Sequence, residues 1–361
     1  MQSLFMTVLL ALLCAWSVQC STSGETAIMN LTELDDLVVR DYEWRTTEHH
    51  DPKGGFRNIW GPYDEPSGWD AAGWIMGSSW RGEKFNPTKF RALDPGELTR
   101  PYSGRYRAAW FGQATVLIQS QGKVILTDPL FEQRASPVSF SGPKRLVGVP
   151  LALEKLPALD VVLISHNHYD HLSGDAIRRL VKRYDPVFLV PLGLGKLMKS
   201  WGASRVRELD WWQYVDVAGH RFSATPVQHF SARGAFDRNA TLWAGWYIEA
   251  RDTGLKVYFA GDTGYGPFFR ETRERLGVPD LALIPIGAYL PRWFMKIVHV
   301  NPAEALQAYD DLQARRMLPI HWGTYDLADE ALHRPLEEMK ELMGDRKGIL
   351  TDLPVGGVFE D

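Results

Sequence analysis

The sequence predicts an α/β domain built from layered, buried sheets, on three observations. From Tyr106 onward, short apolar runs each end in a turn signal, as residues 124–126 do before Thr127-Asp128-Pro129. Helical stretches alternate with the later runs, which is typical of layered α/β domains. Of the 361 residues, 45% are hydrophobic and 23% are charged, a balance that supports a sizeable core.

Each predicted strand is a short apolar run that is followed by turn or polar residues. In chain order the strands span residues 114–118, 124–126, 161–164, 223–227, 256–260 and 317–320. The predicted helices alternate with the later strands, the first after His171 and the third after Val300-Asn301. They span residues 176–183, 194–201, 302–314 and 330–343.

Residues 1–20 are predicted to be a signal peptide. Residues 4–16 carry no charge and have the length of a secretory apolar region, too short for a membrane span. Ser17-Val18-Gln19-Cys20 is an imperfect lipoprotein box, so two outcomes stay open: cleavage after Cys20, or lipidation of Cys20. We therefore expect an exported protein that is either periplasmic or a membrane-anchored lipoprotein.

Residues 21–104 are predicted to form an irregular extension that wraps the core, because they are dense in Gly, Pro, Trp and charge and have little sustained period. Residues 105–361 are predicted to form the catalytic domain. The only two cysteines, Cys14 and Cys20, fall in the predicted signal segment. A mature chain would then offer only His and carboxylate side chains to a metal.

The formal net charge is −4, so the chain has no overall basic field. A general surface for tracking phosphates is not expected, and we predict no nucleic-acid partner.

Four separated segments supply His and Asp donors in an order that indicates a two-metal site. The donors are His166, His168, Asp170, His171, His229, Asp262 and His321. His166 follows an apolar strand, and in an extended segment His166 and His168 point the same way and can share one cation. Asp170 and His171 lie past the bend and can serve a second cation. Seven nitrogen and oxygen donors are enough for two divalent ions, and zinc accepts such a set.

The pattern His-x-His-x-Asp-His, a later His, Gly-Asp-Thr and a final His resembles the metallo-β-lactamase superfamily, whose domain is an αββα four-layer sandwich. The resemblance implies two Zn²⁺ per chain, one bound by His166, His168 and His229, the other by Asp170, His171 and His321. Asp262 would bridge the ions, and a hydroxide between them would be the nucleophile. Asp128 matches the first motif of the superfamily and is expected to orient the ligand loop, residues 166–172, which carries the first four donors.

Longer strings resemble the N-acylphosphatidylethanolamine-hydrolysing phospholipase D family, over roughly residues 105–345. They lie at residues 163–172, 208–212, 259–265, 284–289, 291–296 and 320–324. The resemblance implies a zinc-dependent hydrolase that cleaves a phosphodiester, releasing an N-acylethanolamine and phosphatidic acid. It also implies a phospholipid or related glycerophosphodiester substrate and a membrane surface as a partner. A homodimer is a separate expectation, on which the sequence itself is silent.

Several residues outside the donor set are candidates for substrate contacts. Arg233 and Arg238 flank the loop after His229 and could bind phosphate oxygens. His299 matches a family histidine and joins Asp262 and Asp170 as a candidate catalytic residue, able to hydrogen-bond the substrate or a leaving oxygen. Phe140, Trp293 and Phe294 are candidates for an apolar entrance.

Three positions depart from the family pattern: Gln113 stands where the family usually has His, Ser139 where the animal enzymes have Gln, and Leu290 where they have an acidic residue. None is a predicted metal ligand.

Two alternatives remain open: a lactonase of the sugar-phosphate type, and a non-catalytic surface binding protein stabilised by metal. An acyl product without phosphate-ester cleavage would indicate the lactonase. A content of far fewer than two zinc ions per chain would indicate the binding protein.

Overall fold

The computed structural model describes residues 37–61, 88–234 and 236–361. The described strands are β1 Arg40–Asp41, β2 Tyr106–Trp110, β3 Val116–Ser120, β4 Lys123–Thr127, β5 Val161–Leu163, β6 Val187–Pro191, β7 Val206–Leu209, β8 Gln213–Val217, β9 His220–Thr225, β10 Gly245–Ala250, β11 Lys256–Phe259, β12 Leu281–Pro285, β13 Arg316–Ile320 and β14 Val358–Glu360. The described helices are α1 Pro95–Thr99, α2 Gly174–Arg183, α3 Gly195–Ser200, α4 Phe268–Leu276, α5 Arg292–Met295, α6 Pro302–Leu312 and α7 Arg334–Met343.

The strands of the described residues form two seven-stranded sheets. The first sheet has the order β14-β2-β3-β4-β5-β6-β7 and the second β1-β8-β9-β10-β11-β12-β13. In each sheet one part is antiparallel and the other parallel: β4 to β7 are parallel in the first sheet, and β11 to β13 in the second. Strands β2, β3, β5, β6 and β12 are buried along their whole length, because sheet and helix layers cover both of their faces. The predicted four-layer α/β fold is confirmed.

Helices pack on the outer faces of the sheets through their apolar residues. Ala176, Ile177 and Leu180 of α2 are buried in the same core cluster as Val162 and Phe188 of the first sheet. Helix α6 buries Ala305, Ala308 and Leu312 and contacts β12 of the second sheet. Each sheet therefore has helical cover, which leaves the strand ends free to carry polar loops.

Local signals explain where α6 starts and stops. The Asn301 side chain accepts the Glu304 amide N–H, and the Glu304 carboxylate accepts the Asn301 amide N–H, a reciprocal cap followed by Pro302 in the first turn. The helix ends at Leu312, two residues before the predicted end, because Gln313 takes a left-handed backbone with φ 51°.

The predicted strand at residues 114–118 begins later in the structure, at Val116. A tight turn occupies the preceding residues: Gly112 and Gln113 both have positive φ, and Thr115 donates its amide N–H to the Gly112 carbonyl. Helix α4 and the strands β10 and β12 have no counterpart among the predicted elements.

Parts of the predicted extension, residues 21–104, lie within the described chain. Strand β1 pairs with β8 of the second sheet, and Leu93 and Leu98 are buried in the core of the first sheet. The predicted signal segment, residues 1–20, lies outside the described residues, and the predicted domain boundaries stay predictions. Among the described residues, the helices are too short or too polar to span a bilayer.

Candidate metal centre

The donor residues lie where strands of both sheets end. Strand β5 leads into His166 through Ile164 and Ser165, β11 ends three residues before Asp262, and β13 ends directly before His321. Strands β11, β12 and β13 are parallel, so their carboxyl ends meet at one edge. His229 follows β9 and joins this edge through the bridge between Gln228 and Gly264.

The first donor group consists of three imidazoles. His166 Nε2 lies 2.9 Å from His168 Nδ1, and His229 Nε2 lies 3.2 Å from the same atom. His166 and His229 are buried, and His168 is half-buried. Burial, with the charges of neighbouring imidazoles, lowers the pKa of His229 to about 3, and burial lowers that of His168 to about 4. The imidazoles are therefore neutral near pH 7, the state in which a ring nitrogen binds a metal.

The second donor group joins two carboxylates to two imidazoles. Asp262 Oδ2 lies 3.1 Å from His171 Nε2 and 3.0 Å from His321 Nε2. Asp170 Oδ2 lies 3.3 Å from His171 Nε2 and 3.1 Å from His321 Nε2. Asp262 Oδ2 is also 3.9 Å from His229 Nε2, so this oxygen faces both groups.

The pKa values of His321 and Asp262 show how strongly the carboxylates and imidazoles of the second group affect each other. Burial alone would lower the pKa of His321, but the charge of Asp262 and hydrogen bonds with Asp170 and Asp262 raise it to about 9. Burial alone would raise the pKa of Asp262, but the charges of His171 and His321 hold it well below its usual range. A buried carboxylate and a half-buried one thus require positive charge beside them, which imidazolium groups supply here and a divalent cation can supply instead.

The geometry of both groups fits zinc-sized ions. Two ligand atoms at 2.0–2.1 Å from a tetrahedral zinc are roughly 3.3 Å apart. The donor pairs within the groups lie 2.9–3.3 Å apart. The second oxygen of Asp262, Oδ1, is buried without a hydrogen-bond partner among the described residues, which is unfavourable unless a cation lies nearby.

Asp128 binds the ligand loop from the side of the first sheet. Its carboxylate accepts the Ser165 amide N–H at 2.7 Å, the Ser165 hydroxyl at 2.5 Å and His171 Nδ1–H at 2.7 Å. Because Nδ1 of His171 is occupied in this way, Nε2 is left to face the second group. The structure thus gives Asp128 the contacts expected of an orienting residue.

Close packing beneath the loop requires glycine at position 261. Gly261 has φ +62°, and a Cβ there would lie 2.5 Å from the Cβ of Ser165. The loop that carries Asp262 can therefore approach the loop that carries His166 only without a side chain at this position.

The N-terminal segment contacts the centre directly. His229 Nδ1 donates to the Val298 carbonyl at 3.0 Å, which leaves Nε2 for the donor group. Asn58 Nδ2 donates to the His229 carbonyl at 2.9 Å, and the Phe56 amide N–H donates to the Asn239 carbonyl at the same distance. Residues 56–58 thus support the loop that bears His229.

His299 lies at the same edge. Its ring is buried, Nδ1 is 3.9 Å from Asp262 Oδ2, and this nitrogen has no hydrogen-bond partner among the described residues. Burial lowers the pKa of His299 to about 3. A neutral imidazole that faces the carboxylate shared by both groups can donate or accept a hydrogen bond at the reacting atoms.

The two predicted phosphate-binding arginines have different surroundings. Arg233 Nη1 donates to the carbonyls of Asn167 and Leu172 at 2.6 and 2.8 Å, so this part of its guanidinium is committed to the ligand loop. The guanidinium of Arg238 lies over the Phe230 ring, 4.4 Å from its centroid.

Three aromatic side chains are exposed, two on loops and Trp293 on the short helix α5. Phe140 is 81% exposed, Trp293 61%, and Phe236 is fully exposed. Phe140 lies in residues 134–145, whose last residue pairs with Tyr325; Trp293 lies six residues before His299; Phe236 follows Arg233. Phe236 was absent from the predicted set.

Another cluster outside the predicted set joins His49, His50 and Asp210. Asp210 accepts hydrogen bonds from His49 Nε2 at 2.6 Å and His50 Nε2 at 2.8 Å, but also from Arg45 Nη2 at 2.6 Å. A guanidinium on the same carboxylate repels a metal ion, so this cluster is an ion-pair network that anchors the N-terminal segment.

Comparisons with known proteins agree with the fold. The beta-lactamase superfamily domain matches residues 123–322, a stretch that contains all seven donors. The Caenorhabditis elegans N-acyl-phosphatidylethanolamine-hydrolyzing phospholipase D 1 is 42% identical over 254 residues, which are 67% of this chain and 71% of that protein. The mitochondrial N-acyl-phosphatidylethanolamine-hydrolyzing phospholipase D of Saccharomyces cerevisiae is 37% identical over 64% of this chain, and the matched part is 51% of that protein. Among solved structures, the isothiocyanate hydrolase from Delia radicum gut bacteria has a TM-score of 0.58 at 20% identity, covering 71% of this chain and 98% of that one.

Proposed function

The chain belongs to the metallo-β-lactamase superfamily and is a metal-dependent hydrolase, and from this premise we propose that it cleaves a phosphodiester bond of N-acylphosphatidylethanolamine. The products would be an N-acylethanolamine and phosphatidic acid. The observation that carries the proposal is the 42% identity over 254 residues to a relative named for this activity. A full set of seven donors at one edge of the fold supports it.

We propose zinc as the metal, with two ions per chain. Two such ions would polarise a phosphoryl oxygen and lower the pKa of a water molecule toward neutrality. The chain's own residues contribute position and charge: Asp262 Oδ2 faces both donor groups, and Asp170 and Asp262 concentrate negative charge in the second group. Oxygen and imidazole donors at these separations suit zinc better than the soft metals that prefer thiolates.

His299 is proposed to contact the substrate. Its Nδ1 faces Asp262 Oδ2 at 3.9 Å, and the Arg292 guanidinium fixes the backbone by donating to the His299 carbonyl at 2.9 Å. A ring held this way can hydrogen-bond a phosphoryl oxygen or the departing ethanolamine oxygen.

A lipid substrate lies in a membrane, and we propose that the protein reaches it through the exposed aromatic side chains of Phe140, Phe236 and Trp293. Large exposed aromatic groups are costly in water and partition well into the interface of a bilayer. Lys296, which is exposed, lies three residues from Trp293, and a cation there favours anionic lipid headgroups.

The test is turnover of N-acylphosphatidylethanolamine vesicles in ¹⁸O-water by zinc-loaded protein, with product identification by mass. Attack of water on phosphorus breaks the bond between phosphorus and the ethanolamine oxygen, so one ¹⁸O must appear in phosphatidic acid and none in the N-acylethanolamine. Chelator-treated protein and the Asp262→Asn variant are the controls. Release of free fatty acid, or turnover of lactones without phosphate-ester cleavage, would contradict the proposal. Light scattering on the vesicle-free protein tests whether it forms a homodimer.

A further inference from the structure

We propose that Arg233 is a positioning residue that fixes the ligand loop, residues 166–172, rather than a phosphate-binding residue. This inference rests on the proposed assignment of that loop to metal binding, but not on the identity of the substrate. Four of the seven proposed donors lie in this single loop. Its backbone must therefore be held to within tenths of an ångström although it belongs to no helix or strand.

The guanidinium binds both ends of the loop. Arg233 Nη1 donates to the Asn167 carbonyl at 2.6 Å and to the Leu172 carbonyl at 2.8 Å. Asn167 lies between the first two donors, and Leu172 directly follows the last. Within the loop, His171 and Leu172 donate their amide N–H groups to the His168 carbonyl, which makes the turn itself compact. The Arg233 guanidinium thus fixes the distance between the two ends of a compact turn.

Aromatic and backbone contacts fix the guanidinium in return. It lies over the Tyr169 ring, 3.9 Å from the centroid, and the Tyr169 hydroxyl donates to the Arg233 carbonyl at 3.1 Å. The neighbouring Ala232 amide N–H donates to Asn167 Oδ1 at 2.9 Å. Among the described residues, no carboxylate forms an ion pair with this guanidinium, so carbonyl dipoles and a ring face stabilise the charge.

The contacts join two metal-binding segments to each other. Arg233 lies four residues after His229, the remaining imidazole of the first donor group. Asp128 holds the ligand loop from the side of the first sheet, through Ser165 and His171, while Arg233 holds it from the segment after His229. Losing either contact should therefore change the metal site and not only the binding of substrate.

The experiment compares Arg233→Met, which keeps bulk but removes the charge and donors, with Arg233→Lys, which keeps the charge. Zinc affinity is measured by competition with a chromophoric chelator, and Co²⁺-substituted protein reports the coordination geometry through its visible spectrum. We expect Arg233→Met to lose about 10- to 100-fold in metal affinity, the usual effect of removing an outer partner of a ligand, with an altered Co²⁺ spectrum. Arg233→Lys should recover part of both.

Arg205→Met is the matched control, because Arg205 is buried and, like Arg233, donates to a backbone carbonyl, that of Asp185, but contacts no donor residue. It should lower stability without changing metal affinity. Wild-type metal affinity and spectrum in both Arg233 variants, with only a raised KM for the phosphodiester, would overturn the inference and indicate a phosphate contact. Failure of wild-type protein to bind metal would instead refute the proposed function. If Arg233→Met does not fold, Arg233→Lys decides through its spectrum.

Discussion

Gln113 donates its side-chain amide N–H to Oδ2 of Asp170 at 2.9 Å. The backbone carbonyl of the same residue accepts the His321 amide N–H at 3.0 Å. Gln113 is buried and has a left-handed backbone with φ 49°, and its own amide N–H is bound by Thr324 Oγ1 at 2.8 Å. Gln113, one of the three positions where the chain departs from the family pattern, therefore contacts two residues of the second donor group.

We predict that Gln113→Ala weakens binding of the second metal ion. The substitution removes the donor to Asp170, and an outer partner of a ligand typically contributes 10- to 100-fold in metal affinity or activity. Elemental analysis after dialysis against a weak chelator should show the metal content falling from two ions toward one. Gln119→Ala is the control: Gln119 is a buried glutamine bonded to the Leu98 carbonyl, away from the centre, and two retained ions are expected.

Asp262→Asn should reduce both metal content and activity. Asparagine keeps the size of the side chain but loses the charge that faces both groups, and its amide would direct N–H donors at ring nitrogens that must bind metal. We expect an activity loss beyond the roughly 10- to 100-fold typical of an outer partner. Asp280→Asn, at a buried aspartate bonded to Arg105 and Lys256, should retain its metal. Equal metal content in both variants would contradict the bridging role.

Acid should selectively weaken the ion-pair network in which Arg45, His49 and His50 bind Asp210. Burial alone would raise the pKa of Asp210, but hydrogen bonds from His49, Arg45 and His50 lower it from 3.8 to about 2. A lowered carboxyl pKa contributes stability that is complete above about pH 4 and is lost as the pH falls toward 2, on the order of 2 kcal/mol.

The unfolding free energy of Asp210→Asn should therefore lie below that of the wild type at neutral pH, and the gap should narrow as the pH falls below 4. Urea denaturation of chelator-treated samples measures this without a contribution from metal release. A gap that stays constant from pH 7 to pH 3 would show that the ion pairs contribute nothing.

Removing exposed aromatic groups should weaken membrane binding. Burying one such side chain is worth about 1.5–3 kcal/mol, so Phe140→Ser combined with Trp293→Ser should lower vesicle affinity by more than tenfold. Vesicle sedimentation measures the binding. The loss of activity should be larger on vesicles than on a short-chain monomeric substrate. Leu342→Ser, at a residue 47% exposed on α7, is the control, and an equal loss there would argue against a specific surface.

The sequence predicted the fold and the site well where a local pattern of residues determines the structure. Strand β13 appears as an apolar run because its burial is continuous, and His321 is identifiable because it follows that run directly. Helix α4 escaped detection because no side chain caps its start and charged residues dominate its sequence. Ser165 and Asn58 could not be assigned, because their roles depend on contacts to Asp128 and to the His229 carbonyl that only the folded chain creates. The family pattern identified position 113 as a departure, but the contacts of Gln113 with Asp170 and His321 could not be predicted from the sequence.

The hydrogen bond between Asn58 and the His229 carbonyl joins residues that are 171 positions apart. The donors themselves extend from His166 to His321. During synthesis, the first group acquires its last imidazole long before the second group receives His321. The order of the chain therefore delays assembly of the centre: His229 is oriented by the carbonyl of Val298, and His321 reaches the same edge only once β13 has joined its sheet.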